Sequence, residues 1–186
     1  MTNYKLLGRT GVKVSELCYG TMAFGGVADE ATSEQMYRRI RELGINFLDT
    51  ANVYSAGQSE KLLGQAIRNT GLPRDEIVVA TKVFGRVSTL VGGDASAAEK
   101  AEAERRETEA RNISGLSRKH IMDSVEKSLE RLQLDYIDLY QVHGTDPLTP
   151  IEETVEALDL LVRHNKVRYV GLCNMPAWLI MKALAY

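Results

Sequence analysis

Four short apolar runs in this chain each lead into a polar or ionisable side chain, and they recur at a nearly constant interval. Asn46-Phe47-Leu48 reaches Asp49, with Tyr54 in the loop beyond. Ile77 to Thr81 reaches Lys82, Ile137 to Val142 reaches His143, and Tyr169 to Cys173 reaches Asn174. About 30 residues separate Asp49 from Lys82 and His143 from Asn174, which is the length of one strand, crossover helix and return. About twice that separates Lys82 from His143, so an insertion is expected there. Alternating strand and helix patterns imply a parallel sheet with right-handed crossovers. Parallel strands would bring all four ends to one face, which in a (β/α) barrel holds the active site.

The intervening segments carry helical patterns. Residues 30–43 place Met36, Ile40 and Leu43 on one face, and Gly44 suits the left-handed position after a helix. Residues 59–68 turn Leu62, Leu63, Ala66 and Ile67 inward before Gly71 and Pro73. Ser117 is a candidate cap for a helix with Ile121, Val125, Leu129 and Leu132 as its stripe. Thr149-Pro150-Ile151-Glu152 reads as a capping box, ahead of an apolar face of Ile151, Val155, Leu158 and Val162. Pro176 opens a last helix containing Trp178, Met181 and Leu184, and Trp178 reads as a packing residue. Before these units, Tyr4–Leu7 and Val12–Val14 flank turn residues and predict a hairpin; Leu17-Cys18-Tyr19 predicts a strand running into Gly20.

Residues 85–115 are of another kind, rich in Ala, Glu, Lys and Arg. An exposed, frayed helix is expected, supported by Glu102/Arg106 and Glu107/Arg111 at i, i+4. It reads as a solvated excursion, with a lid over the site as the alternative. The whole is expected to be one incomplete (β/α) barrel domain over 1–186. A hairpin and about five β/α units form it, since a closed eight-unit barrel takes ~250 residues.

A formal net charge of −2 gives no electrostatic case for nucleic acid or an acidic membrane. No apolar run approaches the ~20 residues of a membrane helix, and the start lacks the apolar core of a secretion signal. Cys18 and Cys173 lack metal-ligand spacing and read as free thiols, with Cys18 in the core. Free thiols point to a reducing, cytoplasmic setting. No metal is expected. His120 and His164 read as surface residues on helices.

Leu48-Asp49-Thr50-Ala51 with Tyr54, Thr81-Lys82, Gly115-Leu116-Ser117-Arg118-Lys119-His120 and Asp135 to His143 together resemble the aldo-keto reductase family. The resemblance covers nearly the whole chain apart from the charged insertion. It implies the N-terminal portion of a (β/α)8 barrel that reduces aldehydes and ketones with NADPH, sometimes NADH. It implies Asp49, Tyr54, Lys82 and His143 as a catalytic tetrad. Gly20, Thr21 and Met22 would lie near the cofactor together with Asp49, and Asn174 would bind the nicotinamide carboxamide. The family usually has Ser where this chain has Cys173, and a thiol is a poor hydrogen-bond donor. Later strands that hold the pyrophosphate and the adenosine 2′-phosphate are not in this sequence.

A free tyrosine, with a pKa near 10, is a slow acid at neutral pH, and a neighbouring ammonium lowers that value. Lys82 is the candidate ammonium, Asp49 would hold it, and His143 would orient a small-molecule carbonyl. Taken singly, Asp49 reads equally as a turn cap, Tyr54 as a packed aromatic and His143 as a satisfied strand-end histidine. Lys82 resists such a reading, because a desolvated ammonium must be paired. Two other functions stay open. One is a cofactor-sensing regulatory subunit similar to potassium-channel β subunits. The other is a truncated, inactive fragment that self-associates through open sheet edges.

Overall fold

A computed structural model describes residues 2–88 and 96–186. Strands β1 (Tyr4–Leu6) and β2 (Lys13–Ser15) pair antiparallel as the expected hairpin. Five further strands follow: β3 (Cys18–Gly20), β4 (Phe47–Asp49), β5 (Val78–Val83), β6 (Ile137–Val142) and β7 (Val167–Leu172). They form one sheet in sequence order, every neighbouring pair parallel. Helices α1 (Glu30–Glu42), α2 (Gln58–Thr70), α4 (Arg118–Leu132) and α5 (Ile151–Arg163) make the crossovers; α3 (Ala97–Glu109) lies in the insertion and α6 (Ala177–Ala185) follows β7. All six residues of β5 are buried, as a central parallel strand requires.

The core lies between the sheet and the crossover helices, where Leu48, Val79, Ile137 and Tyr140 meet Tyr37, Leu63, Ile121, Leu132 and Leu161. The hairpin is fastened at the opposite end of the strands from their polar tips. Asn46, just ahead of β4, accepts from the Ser15 amide at 2.7 Å and donates to the Lys13 carbonyl at 3.1 Å. Helices α2 and α4 approach closely at Gly64, where an added Cβ would stand 2.0 Å from the Leu132 carbonyl oxygen.

Several local expectations are corrected. The buried stripe of α1 is Ser33, Tyr37 and Ile40. Met36 and Leu43 face solvent because the larger aromatic takes the inward row. Thr149 does not cap α5: its hydroxyl donates to Asp146 Oδ2 at 2.8 Å, and the helix starts after Pro150 with no side-chain cap. Helix α3 is capped rather than frayed at its start. Ser96 accepts from the Glu99 amide at 3.3 Å while Glu99 accepts from the Ser96 amide at 2.8 Å. Along this helix Arg105 reaches Glu102 at 2.7 Å and Glu109 at 3.2 Å. Residues 89–95 of the insertion lie outside the described residues.

His120 is buried against Ser124 in the first turns of α4, not on the surface. Trp178 is 67% exposed, so it packs no core. Cys18 is exposed, because the register that pairs Gly20 with Asp49 turns it onto the sheet's inner face. No helix among the described residues is long and apolar enough to cross a membrane.

Candidate active site

The parallel register builds the site directly. Asp49 pairs with Ala80 across β4 and β5, and Lys82 lies two residues further along β5. Side chains two apart on a strand share a face, so Asp49 and Lys82 meet. Lys82 pairs in register with Gln141 on β6, and His143 lies two residues beyond Gln141, placing both on that same side.

Lys82 is only 5% exposed, and two of its three N–H donors have acceptors. Its Nζ donates to Asp49 Oδ2 in an ion pair and to the Thr50 carbonyl at 2.8 Å. The pairing answers the desolvation cost that an isolated ammonium would carry there. The Lys82 ammonium sits 5.3 Å from the centroid of the Tyr54 ring. The His143 ring meets Tyr54 edge-on, with centroids 5.8 Å apart. Desolvation first, and the Lys82 charge second, lower the His143 pKa against the pull of Asp49. The imidazole is therefore neutral at pH 7.

Tyr54 opens a short 3-10 turn that joins β4 to α2, spanning Tyr54–Gly57. Ser55 and Ala56 then take left-handed backbone at φ 48° and 53°. Non-glycine residues bear a cost of roughly 1–2 kcal/mol each in that region. The tight turn returns the chain to α2 immediately after the phenol.

The four tetrad candidates thus converge. The other expected positions divide. Gly20 lies opposite Asp49 with open space around it: an added Cβ would meet nothing within 4 Å. Met22 is exposed. Thr21, by contrast, is buried in a hydroxyl cluster, its Oγ1 3.0 Å from Ser59 Oγ and 3.2 Å from the Asp49 carbonyl. Its side chain ties β3 to α2 and offers nothing outward. Asn174 follows β7 with φ 52°, and its Nδ2 donates to the His143 carbonyl at 3.1 Å, joining two strand ends.

Sequence reasoning overlooked three contributors. Gln141 donates from Nε2 to Asp49 Oδ1 at 3.1 Å. Its signal was the alternation that sets it, two residues before His143, on the same side of β6. Ser59 donates to the Thr21 carbonyl at 2.7 Å and lies 2.8 Å from Thr50 Oγ1, clamping the loops on both sides of the site. Cys18, two residues before Gly20, stands beside the ion pair. Desolvation and then the Asp49 charge push its thiol up to about 12, against the opposing effect of Lys82, so it stays protonated. No cluster of metal-ligating side chains occurs among the described residues.

A model of the aldo/keto reductase family matches residues 16–186. The chain belongs to the aldo/keto reductase family. It is 39% identical over 186 residues to the uncharacterized oxidoreductase YrpG of Bacillus subtilis, covering 98% of this chain and 52% of that one. It is 42% identical over 183 residues to aldo-keto reductase AFTS1 of Alternaria alternata, covering 94% and 50%. The rice protein called "Probable voltage-gated potassium channel subunit beta" is 37% identical over 181 residues, covering 97% and 49%. Among solved structures, the holo form of aldo-keto reductase AKR11C1 from Bacillus halodurans superposes with a TM-score of 0.79 at 34% identity, over all of this chain and 54% of that one. The chain spans about half the length of these curated relatives, and its sheet and helices match part of the reductase (β/α)8 barrel.

Proposed function

We propose that the protein carrying this chain is an NADPH-dependent oxidoreductase, with NADH as the alternative cofactor, that reversibly reduces small aldehydes and ketones to alcohols. One observation carries the reading: a buried, carboxylate-paired ammonium lies against the ring of a tyrosine that also meets a neutral histidine. Carbonyl reduction needs a hydride at carbon and a proton at oxygen, and a bound nicotinamide supplies the hydride. The remaining work belongs to the protein. Tyr54 delivers its hydroxyl proton to the carbonyl oxygen. The Lys82 ammonium stabilises the phenolate left behind, and Asp49 holds that ammonium. Neutral His143 donates a hydrogen bond to the same oxygen and orients it. Positioned acid catalysis of this kind contributes ~10²–10⁴ in rate.

The residues fit a flat nicotinamide ring. The inner face is clear at Gly20, and Asn174 stands at the end of the strand beside His143. The chain spans about half the length of its curated relatives, so the grip on the rest of the dinucleotide is assigned to the remainder of the barrel. For the 186 residues alone we therefore infer weak cofactor binding, little turnover, and self-association through the β3 and β7 edges. Free thiols at Cys18 and Cys173 support a reducing, cytoplasmic setting.

The rice relative favours a second reading, a cofactor-sensing regulatory subunit. Fluorescence titration with NADPH, on this chain and on the longer polypeptide, combined with NADPH oxidation assays over aldehydes and ketones, separates the readings. Binding with carbonyl-dependent oxidation by the longer protein is expected. Tight binding without turnover on any carbonyl would favour the regulatory subunit instead.

A further inference from the structure

Lys82 has three N–H donors, and two have fixed acceptors: Asp49 Oδ2 and the Thr50 carbonyl. The third is left for the side on which Tyr54 lies. This division holds only while Asp49 offers Lys82 a single oxygen. A free carboxylate can rotate to engage an ammonium with both oxygens, which would draw the third N–H away from the phenol. Gln141 opposes that rotation, because its Nε2 donates to Asp49 Oδ1 at 3.1 Å. The carboxylate is held at both oxygens, one from β5 and one from β6.

The fold keeps Gln141 in place. It pairs in register with Lys82 on one side and Gly171 on the other. An added Cβ at Gly171 would stand 3.2 Å from Gln141 Cγ, so the neighbouring strand leaves just enough room for the glutamine stem.

We propose that Gln141 is a positioning residue for the reduction: it orients Asp49 so that Lys82 keeps one N–H directed at Tyr54. The role rests on the tetrad reading above. The test uses the full polypeptide carrying this sequence, with NADPH and an aromatic aldehyde, and compares Gln141→Met, Gln141→Glu and Tyr54→Phe. Gln141→Met keeps the length and removes the donor. It should lower kcat by roughly 10- to 100-fold while leaving NADPH affinity and the substrate KM unchanged. Gln141→Glu should be as impaired at alkaline pH, where an ionised Glu accepts but cannot donate and faces the Asp49 carboxylate. Its kcat should climb back relative to wild type as pH falls and the new carboxyl gains a proton to donate. The charged and titratable groups on this face are Asp49 on β4, Lys82 on β5, His143 at the end of β6, Cys18 on β3, Tyr169 on β7 and Tyr54 in the loop after β4. The wild-type profile measured alongside cancels their own titration.

Wild-type kcat in both variants across the pH range, with Tyr54→Phe inactive, would overturn the role of Gln141 and leave the tetrad standing. A loss confined to thermal stability would overturn it equally. An active Tyr54→Phe would overturn the tetrad reading beneath it.

Discussion

The phenol of Tyr54 is followed at once by Ser55 and Ala56 in left-handed backbone, an unfavourable conformation for side chains with a Cβ. Ala56→Gly removes one such cost. In the full polypeptide it should raise unfolding free energy by about 1 kcal/mol in urea melts, the relief exceeding the added unfolded-state entropy. His143 gives a second prediction at this scale. Its pKa lies below 6.5 because desolvation and Lys82 disfavour the imidazolium. NMR titration should find that midpoint. Lys82→Met should move it upward, and Asp49→Asn, removing the one favourable charge, downward. Because the folded state resists protonation, His143 contributes stability that is present at neutral pH and falls away as pH drops below 6.5. Much of this site was legible in the chain, since Asp49, Lys82 and His143 each end an apolar run and a parallel sheet aligns such ends. Gln141 was passed over in favour of the residue just past the run, although Asp138 and Gln141 interrupt its apolar character. The contact of Thr21 with the buried hydroxyl of Ser59, far along the sequence, could not be read from local pattern.

Helices α2 and α4 are joined by a buried ion pair that periodicity did not reveal. Glu60 is fully buried on α2, accepting from Arg131 Nε at 2.6 Å and from Thr81 Oγ1 at 2.6 Å. Thr81 adjoins Lys82, so the pair fixes the strand that carries the ammonium. Glu60→Gln leaves Arg131 largely enclosed without its counter-ion, and a loss of ~3–5 kcal/mol is expected in chemical denaturation. The double variant Glu60→Gln with Arg131→Met should recover much of that loss, because no uncompensated charge remains. Gly64→Ala should also destabilise, by roughly 1–3 kcal/mol, as its Cβ meets the Leu132 backbone. The order and identity of the elements could be read from alternating strand and helix patterns. The inward rows could not always be read, because α1 had two apolar rows and packing selected the one holding Tyr37.

At the scale of the molecule, five strands end in edges at β3 and β7, and α6 exposes Trp178, Met181 and Leu184. An unpaired parallel edge beside an apolar surface recruits further protein. Sedimentation of the isolated chain should show species larger than its 20.7 kDa monomer. A stable monomer with a cooperative melt would count against this. In the proposed reaction Asp49, Tyr54, Lys82 and His143 act together to protonate a carbonyl oxygen as hydride reaches its carbon. The most direct test is turnover of the full polypeptide with Tyr54→Phe, measured beside NADPH affinity. Carbonyl reduction should fall by at least ~10² with cofactor binding intact. Near wild-type turnover from a chain without that phenol would contradict the account.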